Sequence, residues 1–475
     1  MDNSTGCEKT VAIVGAGITG LCAAYQLKKS GIKVKVFEAS SRPGGVIRTM
    51  RDCEWLAEYG PNTLLETTPL LKQFFKDAGL EERKLYSNPE AKNRYIARYK
   101  RPIKLPSSPP AFFASELFTV SAKLNLLVEP LIGRGRGEES VAEFVKRRLG
   151  QEFLDYAIDP LVSGIYAGNP YKISLKHAFA KVYNLEARYG SLILGQIFGA
   201  RERKKRGEIS KADAPKVSFD DGLQVLTDTL AKHIKDSICY NCEVSELRRC
   251  ADGWEVVLKG VDSVCAEKFS AVLITSTAYR AAKIRISHAS NNADSTNRID
   301  LTQLEEIEYP PVASVVLGYK RDEVEHPLDG FGVLVPRKEG FRILGTIFSS
   351  SLFPRRAPKG YVTLTTYLGG AQNPELALLP ESELIKITAE DLKVLLGAKG
   401  KIEFSFVARY EKAIPQYNVG YGKYLKLIDE VESAAKGIFF AGHYRDGVSL
   451  SDSIHSGLKS ADKIANYLHN KPIQH

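Results

Sequence analysis

Glycines at 15, 17 and 20, framed by an apolar run and followed by an acid, are the part of this chain best suited to chemistry. Val11, Ala12, Ile13 and Val14 read as a buried strand, and Gly15, Ala16, Gly17, Ile18, Thr19 and Gly20 as a turn that opens a helix. Val34 to Phe37 read as a second strand ending on Glu38. In this frame Gly15 permits a tight turn, Gly17 admits a pyrophosphate to the backbone, and Gly20 lets helix and strand pack closely. The N–H groups at the helix start, around Ile18 and Thr19, attract phosphate. Glu38, with Ala39 beside it, is placed to accept ribose hydroxyls. The chemistry implied is the binding of a dinucleotide.

Arg42, Gly44, Gly45 and Thr49 follow the acid in the form RxGGxxxT. This resembles the second fingerprint of FAD-containing flavoproteins of the amine-oxidase type, so the resemblance implies FAD. Gly44 and Gly45 would let the backbone pass under the flavin-side pyrophosphate, with Arg42 adding positive charge. Gly60, Pro61 and Asn62 form a turn able to close over a flavin, and the backbone of Val244 is the expected adenine contact. Near the end, an apolar strand runs to Gly442. Gly447, Val448 and Ser449 then open a helix whose N-terminus, with the Val448 N–H, would stabilise negative charge on a reduced flavin.

These residues need a scaffold. At 475 residues, 44% hydrophobic and 26% charged, the chain suggests a globular protein of more than one domain. The expected fold class is α/β: a Rossmann-like FAD-binding (GR2-type) domain, a mixed-sheet substrate domain and an inserted helical lobe. The expected boundaries give residues 1–90, 208–298 and 408–475 to the FAD-binding domain. Residues 91–207 form a helical, membrane-associating insert and 299–407 the substrate-binding domain. Within the insert, Ser140 and Glu143 spell a capping box, and the apolar stretch around Phe112, Phe113, Leu124 and Leu127 can meet one leaflet of a membrane or be buried internally. Residues 199–216, charged and without periodicity, read as a surface loop. Residues 269–275 read as one buried parallel strand, and alternation over 312–319, 343–348 and 361–368 as a mixed sheet.

A net charge of +10 with basic clusters at 134–136, 146–148 and 201–206 suits anionic lipid, acidic substrates or plain solvation. No motif favours nucleic acid. The seven scattered cysteines argue for a reducing compartment. Cys239 and Cys242 have CxxC spacing but no second pair, so no metal site is expected. Met1 to Thr10 is polar, with no transit or secretory leader visible, and no run reaches the roughly 18 apolar residues that would span a bilayer.

The local text narrows the family further. Asp159 and Pro160, then Ser163, Gly164, Tyr166, Ala167, Gly168, Asn169 and Pro170, resemble the (E/D)PxxSGxYAGDP segment of oxygen-dependent protoporphyrinogen oxidases. So do residues 344–354, 330–332, Gly369 with Gly370, and 413–417. The resemblance spans essentially the whole chain. It implies FAD-dependent six-electron oxidation of a porphyrinogen by O2, releasing hydrogen peroxide, in heme or chlorophyll synthesis. It further implies a propionate-binding role for Arg94, an orienting role for the Gly164 carbonyl, and pyrrole packing by Leu334, Leu344 and Tyr367. It also implies a peripheral membrane homodimer of mitochondrial, plastid or bacterial inner membranes, and sensitivity to diphenyl-ether herbicides. Tyr367, Tyr410, Tyr421 and Asn169 depart from the family pattern (often Phe, Trp, His and Asp), with Tyr367 expected to add a hydroxyl to the slot. Three rival readings stand beside this one. The first is oxidation of coproporphyrinogen, whose four propionates would recruit Arg98 and Lys100 or Arg101. The others are an amine oxidase of the same superfamily and a flavin-binding scaffold without turnover.

Overall fold

The computed structural model describes residues 9–196, 214–260, 264–288 and 297–469. The basic cluster 201–206 and most of the expected loop 199–216 lie outside these residues. The strand Thr10–Val14, wholly buried, is the centre of a five-stranded sheet ordered Ile238–Cys239, Lys33–Phe37, Thr10–Val14, Ala271–Ile274, Ile438–Phe440. Every pairing is parallel, so all five carboxyl ends open on one edge, where such sheets bind ligands. The helix Ile18–Lys29 leaves that edge and packs along the terminal helix Leu450–Leu468. Their approach requires glycine: a Cβ on Gly457 would lie 2.4 Å from the Thr19 carbonyl oxygen.

The apolar run 269–275 is not one strand. Val264–Phe269 pairs antiparallel with Gly253–Leu258 in a second five-stranded sheet, while Ala271–Ile274 enters the parallel one. Ser270, whose N–H reaches the Thr10 carbonyl at 2.8 Å, is the switch.

A seven-stranded mixed sheet forms the second large layer, in the order Phe404–Tyr410, Val312–Lys320, Tyr361–Gly369, Ile343–Ile347, Gly330–Leu334, Asn93–Arg98, Arg101–Lys104. The last two strands fall inside 91–207, the range expected to be helical, and Phe404–Tyr410 runs past the expected boundary at 407. The cause is burial on both faces: Tyr95 and Ala97 join the core under the helix Glu381–Leu396, while Ile96 and Ile103 join the core of the helical lobe.

That lobe begins at the helix Pro109–Ala114 and continues through Val120–Val128, Val141–Leu149, Asp159–Tyr166 and Ala180–Tyr189. The Ser140–Glu143 capping box is present. Arg147 and Arg148 are not a surface patch. Arg148 is 1% exposed and pairs with Glu129 at 2.9 Å and Glu186 at 2.6 Å, and Arg147 pairs with Glu186 at 2.9 Å and with Glu139. Buried charges persist only when paired this way. Among the described residues, no helix is long and apolar enough to cross a membrane.

Candidate cofactor and substrate site

At the carboxyl edge of the parallel sheet the two glycine motifs touch. Gly15 turns with φ +105°, and Gly20 sits so close beneath it that a Cβ would lie 2.0 Å from the Gly15 carbonyl oxygen. Gly17 differs. Its backbone is extended (φ −69°, ψ 177°), and a Cβ there would meet no atom within 4 Å. Gly44 donates its N–H to the Ala16 carbonyl at 2.8 Å, and a Cβ on Gly45 would fall 3.4 Å from the Gly17 Cα. Arg42 folds its guanidinium back on this turn, donating to the carbonyls of Gly45 at 2.6 Å and Pro43 at 3.0 Å. It braces the loop as well as charging it.

Glu38 is buried at the mouth of the turn. It accepts the Ala16 N–H at 2.7 Å on one oxygen and, on the other, the Ser40 N–H at 2.9 Å. Ala39 is exposed beside it. Residues 239–242 close on this acid through its backbone: Glu38 donates to Cys239 O, and Cys242 donates to Glu38 O, both at 2.8 Å. Val244 thereby starts its strand next to the ribose-facing carboxylate. Ile18 and Thr19 are buried in the first turn of the helix.

Residues 442–449 reach the same edge at the end of the strand Ile438–Phe440. Gly442 donates to Ser456 Oγ at 2.8 Å, Gly447 donates to the Tyr417 hydroxyl at 3.0 Å, and Ser449 caps the terminal helix by accepting from Asp452 N at 3.1 Å. Val448 is half-buried against the core. Beside them, burial lowers the His443 pKa to about 4, so its imidazole is neutral. Two hydroxyls that sequence reading missed complete the edge. Ser276 Oγ and Thr277 Oγ1 are buried with no hydrogen-bond partner, directly after the strand Ala271–Ile274. Unsatisfied buried hydroxyls facing an open glycine turn fit a phosphate-bearing ligand. The only sequence sign was a Thr-Ser-Thr run after an apolar strand.

The second half of the site lies where the helix Asp159–Tyr166 meets the seven-stranded sheet. A Cβ on Gly164 would lie 2.6 Å from Leu334 Cδ2. Leu344 packs with Ala167 and Val312, and Tyr367 packs against that cluster. Gln372 fastens the helix to the sheet, donating to Asp159 Oδ1 and Ser163 Oγ, each at 3.0 Å. Asn169 accepts the Tyr171 N–H at 3.0 Å, a turn-closing job an aspartate would also do. Ile96 stands opposite Leu334 in the ladder, which puts exposed Arg94, two residues earlier, on the same sheet face. The Tyr367 hydroxyl does not enter the slot as expected; it accepts from Asn62 Nδ2 at 2.7 Å and donates to Gly60 O at 3.2 Å. The turn Gly60–Pro61–Asn62 is thus joined to the slot wall.

Glu58, two residues before that turn, accepts from Leu223 N at 2.8 Å and Thr49 Oγ1 at 2.7 Å, and burial raises its pKa from 4.5 to about 7. Between those values the folded protein holds a proton that the unfolded chain has released. Stability is therefore fullest below the unfolded pKa and is lost as pH rises through the folded one, by roughly 3 kcal/mol. Glu58→Gln should flatten this dependence in denaturant melts taken across the window. Parallel curves for wild type and variant would refute it.

Residues 18–465 match the family described as flavin containing amine oxidoreductase. The chain is 36% identical over 488 residues to the mitochondrial protoporphyrinogen oxidase of Nicotiana tabacum, spanning 97% of this chain and 95% of the relative. It is 28% identical over 483 residues to the coproporphyrinogen III oxidase of Bacillus subtilis (strain 168), spanning 97% and 99%. The cyclohexylamine oxidase structure from Brevibacterium oxydans IH-35A shares the fold, with TM-score 0.67 and 16% identity over 98% of this chain and all (100%) of that one.

Proposed function

The chain belongs to the flavin containing amine oxidoreductase family, and from that premise we propose that it is an FAD-dependent, oxygen-using protoporphyrinogen oxidase. The observation that carries the choice of substrate is the fate of the cations near Arg94. Arg98 pairs with Glu152 at 2.7 Å, Arg101 pairs with Glu116 at 2.7 Å, and the Lys100 ammonium donates to the Glu339 carbonyl. A substrate with four propionates would recruit those groups. One with two propionates on one edge of a large apolar ring needs little beyond Arg94 and a greasy slot.

In this reading Gly15, Gly17, Gly44 and Gly45 admit the pyrophosphate, Glu38 takes the ribose, Val244 the adenine, and Ser276 and Thr277 supply the unused hydroxyls. When bound, the flavin supplies the two-electron acceptor chemistry and its reoxidation by O2 to hydrogen peroxide. The protein's share is placement. Leu334, Leu344 and the Tyr367 ring hold the macrocycle, Arg94 anchors a propionate, the Gly164 carbonyl faces the reacting edge, and the helix start at Val448 and Ser449 favours negative charge. Fluorimetric turnover of protoporphyrinogen and coproporphyrinogen side by side tests this. Higher kcat/KM for the dicarboxylate is expected; preference for the tetracarboxylate, or no turnover by yellow protein, overturns it.

We further propose that the helical lobe rests on a membrane surface as one half of a homodimer. Phe113, Val120, Leu124, Leu127 and Leu131 are exposed, Leu131 to 85%, along the helix Val120–Val128 and its flanks. Phe112, in contrast, stacks inward on Phe118 and Phe153, so it is the wrong residue to probe. Leu127→Glu with Leu131→Glu should abolish most co-sedimentation with anionic liposomes. Undiminished co-sedimentation would remove the lobe from the membrane.

A further inference from the structure

Tyr367 has two ends in two different places. Its ring lies against the cluster of Leu344, Ala167 and Val312, which the reading above assigns to the macrocycle. Its hydroxyl is buried and fully used, accepting one hydrogen bond from Asn62 and donating one to Gly60 O. Asn62 Nδ2 also lies 3.3 Å from Gly60 O, so the amide and the phenol lock the turn together. From the other side of the amide, Ser349 Oγ approaches Asn62 Oδ1 at 3.5 Å and lies 2.7 Å from Thr365 Oγ1, on the same strand as Tyr367. The turn 60–62 is therefore held to one strand of the slot wall at two points, residues 365 and 367.

Apolar contact alone would leave the turn free to shift relative to the ring. Paired hydrogen bonds in a water-poor setting fix a direction as well as a distance. Burial pushes the Tyr367 phenol well above its ordinary pKa, so it stays neutral and can both accept and donate. Tyr410 adds bulk on the same side, its hydroxyl oxygen 3.5 Å from where a Gly60 Cβ would be.

We propose that Tyr367 is a positioning residue that couples the substrate slot to the turn Gly60–Pro61–Asn62, so that a porphyrin pressed on the ring is sensed at the flavin-covering loop. This rests on the protoporphyrinogen oxidase reading above. Its consequence is that the hydroxyl acts on the rate of the bound complex, while the ring acts on affinity.

The test uses the holoenzyme with Tyr367→Phe, Asn62→Ala and the double variant, all at saturating FAD. The readouts are kcat and KM for protoporphyrinogen, and the change in the flavin absorption band when protoporphyrin is added as a non-oxidisable ligand. Tyr367→Phe, which keeps the ring, should lower kcat roughly ten-fold with KM within about two-fold, and should erase the porphyrin-induced band change. Asn62→Ala should do the same, and the double variant should be no worse than the poorer single one. Wild-type kcat and band change in Tyr367→Phe, an effect confined to KM, or losses that multiply in the double variant would each overturn the coupling. Wild-type protein that bound no flavin or turned over no porphyrinogen would instead overturn the functional reading on which it rests.

Discussion

Gly17→Val should give a folded, colourless protein. The residue already has a backbone that any amino acid adopts, and a Cβ added to it would meet nothing within 4 Å. The chain itself has no steric objection to valine. What a side chain there would displace is a ligand lying on the turn, and a steric clash with a pyrophosphate should cost at least about 100-fold in FAD affinity. Two measurements check it: the ratio of flavin to protein absorbance after purification, and thermal melts with and without added FAD. Wild type should gain stability with FAD by mass action, and the variant should melt like wild-type apoprotein at every FAD concentration. Yellow, stoichiometric Gly17→Val would remove the pyrophosphate from this turn. Gly20 makes the contrast. A Cβ there would lie 2.0 Å from the Gly15 carbonyl oxygen and 2.7 Å from Thr275 Oγ1, so Gly20→Val should damage the fold itself.

Arg94→Ala should raise KM for protoporphyrinogen by roughly 10- to 100-fold, the worth of a charge-assisted pair to a carboxylate. FAD content should be unchanged, because Arg94 stands on the seven-stranded sheet, away from the glycine turns. The strand should survive as well: the Arg94 carbonyl accepts the Leu105 N–H at 2.7 Å whatever its side chain, and the side chain is exposed. Arg94→Lys should recover part of the loss, since an ammonium keeps the charge but not the fork. An unchanged KM in Arg94→Ala would end the anchor role.

The two halves of the site differ in how far they could be read in advance. The nucleotide half was legible because its parts are close in sequence and act through backbone. Gly15, Gly17, Gly20 and Glu38 form one strand–turn–helix–strand unit, and their spacing alone places the acid at the turn, where Glu38 meets the Ala16 N–H. The contact of Gly44 with Ala16 follows from the same short stretch. The apolar run 269–275 was misjudged as one strand because hydrophobicity reports burial, not which sheet a segment joins. Residues 93–104 were placed in the helical lobe because flanking helices outweighed a short alternating pattern, whose pairing partner, Gly330–Leu334, lies more than two hundred residues on.

What this sequence determined by itself was therefore a dinucleotide turn, the acid beside it and, through family resemblance, a flavin chemistry. Only the tertiary structure decided which cations belong to the substrate. Arg98 and Arg101 read like Arg94 until Glu152 and Glu116 arrive beside them, and a charge is withdrawn from service by its partner, not by its own type. It also turned the Tyr367 hydroxyl away from the slot, onto a turn some three hundred residues earlier. Backbone geometry is local and can be written in spacing. Side-chain availability depends on every segment that folds against it.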